Sequence, residues 1–269
     1  MTQEPKPRTA EINGQLWGAR ARDWAELGEG LFSAGYKEVL ARADVGSDTQ
    51  LLDAGCGAGM AAALAHQLGA TITGLDASSA LLDIARERVP SGNFYQGDLE
   101  ELPFEDATFD VVTGFNSFQY AGNPGVALTE ARRVTKPTGM VCVMTWGNPE
   151  GMEAATLVAV LKDLLPPPPP DAPGPFALSN ETKLRQFGVD AGLEPVAVFD
   201  VDSPWAFSNE ETALRGLIST GVSAKAIETS GLEAVRAAYT DAIKPFRQPN
   251  GSYKIGATLR VLIAKPSQG

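Results

Sequence analysis

Three glycines at alternate positions, Gly55, Gly57 and Gly59, follow an apolar run that carries an acid, Leu51-Leu52-Asp53-Ala54. Glycines so spaced let the backbone turn tightly and let a ligand approach it without side-chain interference. The Ala-rich segment 60–68 that follows has helical composition, and the N-terminus of such a helix favours an anionic group, for example a carboxylate. A second apolar run, residues 71–76, ends in Asp76, about twenty residues past the first glycine, the spacing of a carboxylate that bonds ribose hydroxyls. Together they describe a βαβ unit shaped for a nucleotide-like ligand, and by themselves they also fit a nicotinamide-dependent oxidoreductase. The only histidine, His66, stands inside the helix after the glycines and projects away from the turn. Asn116, Gln119 and Tyr120 follow an apolar run at 109–115, at the strand ends where open α/β sheets hold their ligands, and are candidates for orienting a substrate.

The elements that must position these groups alternate along the chain. Strands are expected at 50–54, 71–76, 94–96, 109–115 and 140–144, with helices at 60–68, from a cap at 76–79 to Arg88, and at 124–134. A turn at 136–139 precedes the fifth strand. The alternation predicts an α/β fold with a doubly wound, parallel sheet and right-handed crossovers. Ahead of it, 1–9 reads as a frayed tail, Ile12, Leu16, Trp17, Trp24 and Leu27 mark an amphipathic helical segment, and a second helix runs over 31–43. Behind it, a helix over 152–165 leads to Pro166 to Pro170, Pro173 and Pro175, a stiff extended connection. Helices over 180–191, 209–222 and 232–243 and strands over 195–201 and 258–264 complete the chain.

Composition restricts the partners. The 269 residues are 43% hydrophobic, enough for one large domain with a full core. The net charge of −11 repels phosphate backbones and anionic lipid, so a small molecule is expected rather than nucleic acid or membrane. No apolar run approaches the roughly 18 residues of a spanning helix. The two cysteines, Cys56 and Cys142, fall in predicted core elements and make neither a disulfide framework nor a zinc pattern, so no metal is expected. Cytoplasmic location is the expectation, and the oligomeric state is left open.

Spacing separates the nucleotide readings. A dinucleotide fingerprint has G-x-G-x-x-G, whereas this chain has G-x-G-x-G preceded by Asp53. The segment Leu51-Leu52-Asp53-Ala54-Gly55-Cys56-Gly57-Ala58-Gly59 resembles the first motif of the class I S-adenosylmethionine-dependent methyltransferases. In order after it, Gly74-Leu75-Asp76-Ala77-Ser78, Gly97-Asp98-Leu99, Phe109-Asp110-Val111-Val112 and Arg132 to Gly139 resemble that family's later motifs. The resemblance covers about residues 51–145 and is closest to the small-molecule branch with the ubiquinone and menaquinone methyltransferases. It implies a seven-stranded sheet, order 3-2-1-4-5-7-6 with the seventh strand antiparallel, and S-adenosylmethionine as cofactor. It further implies Gly55 and Gly57 against the methionine part, Asp53 beneath the loop, Asp76 on the ribose hydroxyls, Ala77 beside the adenine, Asp98 on the adenine amino group and Leu99 as its apolar contact. Phe115 and Asn116 would line the methyl-donor end. It implies too a methyltransferase domain divided into an N-terminal helical cover (1–47), a cofactor core (48–147) and a C-terminal half (148–269) with lid helices over 208–247. Trp17 belongs to that cover, and Arg20, one turn on, is a candidate for the methionine carboxylate. Trp17, Trp24, Trp146, Phe176, Trp205, Phe207 and Tyr239 are the aromatic residues outside the sheet from which a substrate site could be built. The acceptor is then an oxygen, nitrogen or carbon of a small, partly apolar metabolite. A cofactor-binding module without turnover is the other reading of the same motifs.

Overall fold

A computed structural model describes residues 9–167 and 174–267. The tail 1–8 and prolines 168–170 and 173 of the expected extended connection lie outside the described residues. Seven strands form the main sheet: β1 (Gln50–Ala54), β2 (Thr71–Asp76), β3 (Asn93–Gln96), β4 (Phe109–Phe115), β5 (Thr135–Trp146), β6 (Leu193–Asp202) and β7 (Thr258–Pro266). Their order is β3-β2-β1-β4-β5-β7-β6, and only β7 is antiparallel to its neighbours. The sheet is thus the α/β, doubly wound, mostly parallel one expected.

Adjacent residues of the central strands feed opposite faces, as a pleated strand requires. Leu51, Val111, Cys142 and Val261 enter one core, and Leu52, Val112, Val143 and Leu262 enter the other. Against the first face pack α2 (Ser33–Arg42), α3 (Met60–Gln67) and α4 (Ser79–Arg88); against the second pack α5 (Pro124–Val134) and α7 (Glu181–Asp190). The chain enters through α1 (Ala10–Gly18), and α6 (Ala154–Ala159) follows β5. Between β6 and β7 stand α8 (Glu210–Ile218), α9 (Gly221–Ser230) and α10 (Leu232–Ile243). Local chemistry sets the helix starts: the side chains of Ser78, Asn123, Asn180, Asn209 and Thr220 each accept an N–H of the first turn.

The structure departs from the sequence reading in four places. The expected turn at 136–139 is part of β5, where the register slips between Phe109 and Val111, so the Pro-Thr-Gly stretch bulges without ending the strand. The helix expected over 209–222 stops at Ile218, because Thr220 begins a new helix, α9, with its own cap. The helix expected over 152–165 is only α6 followed by a 3-10 turn at Lys162–Leu164. A two-stranded ribbon, Trp205–Phe207 against Tyr253–Ile255, was not foreseen, since three-residue strands carry too little periodicity.

Candidate active site

All three glycines of the β1–α3 turn have left-handed φ, +81°, +54° and +81° for Gly55, Gly57 and Gly59. Each is glycine for a different neighbour. A Cβ on Gly55 would lie 2.4 Å from the Ser117 Cβ, and Ser117 is held there by donating to the Ala54 carbonyl at 2.7 Å. A Cβ on Gly59 would lie 2.8 Å from the Ala85 Cβ, so this glycine seats α3 against α4. Around Gly57 the nearest atoms stand off at 3.5 Å, the Glu29 Oε1 and the Trp24 Nε1. That position therefore has room for a small side chain but is covered by the N-terminal segment.

The acids lie around this turn. Asp53 is 1% exposed beneath it and accepts from the Thr113 hydroxyl at 2.9 Å. Burial pushes its carboxyl up to about 7, opposed by the Thr113 hydrogen bond and reinforced by the charges of Glu29 and Asp76. Asp76 spans the turn and its own loop, accepting from the Gly57 N–H at 2.9 Å and the Ser78 N–H at 2.8 Å. Its carboxyl is raised by burial, with those backbone donors opposing the rise. The Gly97 N–H donates to the Asp76 carbonyl at 3.1 Å, which brings Asp98 alongside. Asp98 accepts from the Glu100 N–H through Oδ1 at 3.0 Å, while its buried Oδ2 has no partner. Leu99 packs its side chain on the second core.

Past β4 the backbone of Asn116 is left-handed, φ +51°, and its N–H reaches the Met144 carbonyl at 2.9 Å. Gln119 donates to the Asn116 Oδ1 at 3.1 Å, leaving the buried Asn116 Nδ2 as a donor without a partner. Phe115, beneath, packs at 4.7 Å on Tyr36. Burial pushes the Tyr120 hydroxyl up to about 12, so it keeps its proton at neutral pH.

The N-terminal segment crosses this edge of the sheet. A Cβ on Gly14 would meet the Ala77 carbonyl at 2.4 Å, and the Asn13 amide donates to the Tyr120 carbonyl at 2.7 Å, so α1 bridges the β2 and β4 loops. Trp17 packs on Tyr120 at 5.5 Å and on Trp24 at 5.1 Å, and ring contacts continue through Phe32 to Trp146 and Trp205. Arg20 is half-buried and hydrogen-bonds none of these groups among the described residues. His66 lies exposed on α3 beside Ser91, away from the turn.

Sequence reasoning missed Glu29. It is 3% exposed in the 3-10 turn Glu29–Phe32, accepts from the Met60 N–H at 3.1 Å and pairs with Arg88, which also donates to the Ala58 and Ala25 carbonyls at 2.8 Å. Glu29 thus places a carboxylate of the chain itself against the N-terminus of α3. Burial raises the Glu29 carboxyl and Arg88 opposes the rise. No local signal separates Glu29 from the exposed Glu26; its partners lie 31 and 59 residues away.

Residues 52–143 match the family described as a methyltransferase domain. Over 141 residues the chain is 36% identical to a malonyl-[acyl-carrier protein] O-methyltransferase of Erwinia pyrifoliae, covering 52% of this chain and 53% of that protein. Over 119 residues it is 37% identical to a demethylmenaquinone methyltransferase of Staphylococcus aureus, covering 42% and 49%. The chain therefore matches about half the length of these curated relatives. The structure of a geranyl diphosphate C-methyltransferase from Streptomyces coelicolor superposes with a TM-score of 0.57 over 98% of this chain and all (100%) of that one, at 14% identity. Motif order, sheet order and these matches agree: residues 52–143 are similar to a methyltransferase domain, and the chain shares its fold with a solved methyltransferase structure.

Proposed function

We propose that the protein transfers a methyl group from S-adenosylmethionine to an oxygen, nitrogen or carbon atom of a small, partly apolar metabolite. The observation that carries this reading is the buried Asp98 Oδ2, a carboxylate oxygen without a partner beside Asp76. An orphaned buried acceptor is costly unless a ligand donor completes it, and the exocyclic amino group of an adenine is such a donor. Asp76 would take the ribose hydroxyls, exchanging its bond to Gly57, with Ala77 and Leu99 beside the base. Gly55 and Gly57 would face the methionine end above Asp53, with Trp17 and Arg20 closing over it and Phe115 beneath. When bound, the cofactor supplies an electrophilic methyl group on a sulfonium. For this chain the task is alignment and exclusion of water, which suit an in-line displacement with a neutral leaving group. The Asn116 Nδ2 donor would orient the acceptor, with Gln119 holding the amide and Tyr120 as a neutral wall. We place the cover at 1–47, the cofactor core at 48–147 and the lid helices at 208–247 of a C-terminal half spanning 148–269. The acidic surface and two buried free thiols support a cytoplasmic protein working on small molecules rather than on nucleic acid.

Titration calorimetry with S-adenosylmethionine tests the reading. Wild type binds and Asp76→Ala weakens binding at least tenfold; undetectable binding by wild type, or an unchanged Asp76→Ala, rules the assignment out. Transfer of labelled methyl to components of a metabolite extract separates an enzyme from a module that only binds.

A further inference from the structure

We infer that Glu29 is a cofactor-binding residue, the carboxylate that receives the positively charged α-amino group at the methionine end. The inference rests on the reading of the glycine turn as an S-adenosylmethionine site and goes beyond its motifs, because Glu29 belongs to the N-terminal cover.

Of the three loop glycines, only Gly57 has room for a Cβ, and in van der Waals contact with that position stand the Glu29 Oε1 and the Trp24 Nε1. The other two acids face other groups: Asp53 lies under the turn on Thr113, and Asp76 accepts two backbone N–H groups on the side proposed for the ribose. Of the three acids, Glu29 alone comes from the N-terminal cover, against the Gly57 position where the methionine end is proposed to lie.

A carboxylate offers about four acceptor sites. Glu29 uses one oxygen for the Met60 N–H and the other for Arg88. Each oxygen therefore keeps a lone pair for a further donor, and the ammonium group is a donor of three.

Packed around the turn are three carboxylates, Asp53, Glu29 and Asp76, and one guanidinium, that of Arg88. The excess of buried acidic groups over cations favours a cation bound among them. A ligand with an ammonium group supplies it, and the contact also ties the cover to the loop, because Arg88 holds Glu29 together with the Ala25 and Ala58 carbonyls.

The test compares two neutral-sulfur ligands that share the adenosine: S-adenosylhomocysteine, which has the amino-acid end, and 5′-methylthioadenosine, which lacks it. By titration calorimetry, Glu29→Gln is expected to weaken S-adenosylhomocysteine at least tenfold and to leave 5′-methylthioadenosine within about twofold of wild type. Retained 5′-methylthioadenosine binding also reports an intact fold. If Glu29→Gln does not fold, Glu29→Asp, which withdraws the carboxylate by one methylene, is expected to show the same selective loss. Equal loss of both ligands, or loss of neither, overturns the inference and leaves Glu29 a structural ion-pair partner. Failure of the wild type to bind S-adenosylhomocysteine at all overturns the cofactor reading and this inference with it.

Discussion

Asp53 is an acid sealed under the turn that it serves, and its carboxyl stands at about 7 because burial disfavours the charge more than Thr113 restores it. The folded pKa lies above the ordinary value of roughly 4. The folded state therefore holds a proton that the unfolded chain has lost, and the stabilisation present at low pH is lost as pH rises through about 7. Asp53→Asn keeps an acceptor for Thr113 and removes this dependence. Its melting temperature at about pH 8 should exceed that of wild type by a few degrees, with the two converging toward about pH 4; identical calorimetric profiles would refute the raised carboxyl. A positively charged ligand favours ionised Asp53, so cofactor affinity should rise with pH up to about 7. At Asp98 the orphaned oxygen predicts a different result: Asp98→Ala should fold normally and lose roughly tenfold in cofactor affinity, about 1.4 kcal/mol. Asp53, Asp76 and Asp98 could be picked out because they follow strand-like runs in a known order. Glu29 and Ser117 could not, since what distinguishes them is who faces them across the fold.

At the scale of elements, β1, β2 and β4 were readable to the residue, as each is a short apolar run bounded by a turn or an acid. The failures were at joints. The Pro-Thr-Gly stretch at 137–139 has turn composition, yet pairing with β4 continues on both sides of it, so tertiary context overrides local preference. The loop glycines illustrate how a motif mixes causes. Gly59→Val places a side chain at φ +81° against Ala85 and should lower unfolding free energy by more than about 2 kcal/mol in denaturant titrations. Gly57→Ala meets no close neighbour, so it should cost only roughly 1–2 kcal/mol for its left-handed backbone while still weakening cofactor binding. Equal destabilisation by the two would contradict the packing described here.

At the scale of the molecule, the N-terminal segment and the late helices close on each other over the sheet edge. Arg215 of α8 donates to Asp23 at 3.0 Å and to Glu26 at 3.2 Å, and a Cβ on Gly221 of α9 would meet the Trp17 ring at 2.6 Å. With the cover and lid helices acting as proposed above, S-adenosylhomocysteine should slow amide exchange in residues 10–32 and 210–230 more than in β5 and β7. Uniform protection by mass spectrometry would argue against a moving cover. At saturation near 100 times Kd the ligand should add about 2.7 kcal/mol to stability.

The place of β7 bears on how such a chain is made. Residues 258–266 pair with β5 on one side and β6 on the other, so β6 has no partner in the main sheet until they arrive. At about 5–20 residues per second on a ribosome, β6 waits several seconds with its edge unpaired. During that interval the half-built sheet presents open strand edges to other nascent chains. Ribosome-bound chains arrested before residue 258 should accordingly recruit chaperones that full-length chains, tethered through an added linker long enough to clear the exit tunnel, release, since one late strand closes both gaps at once.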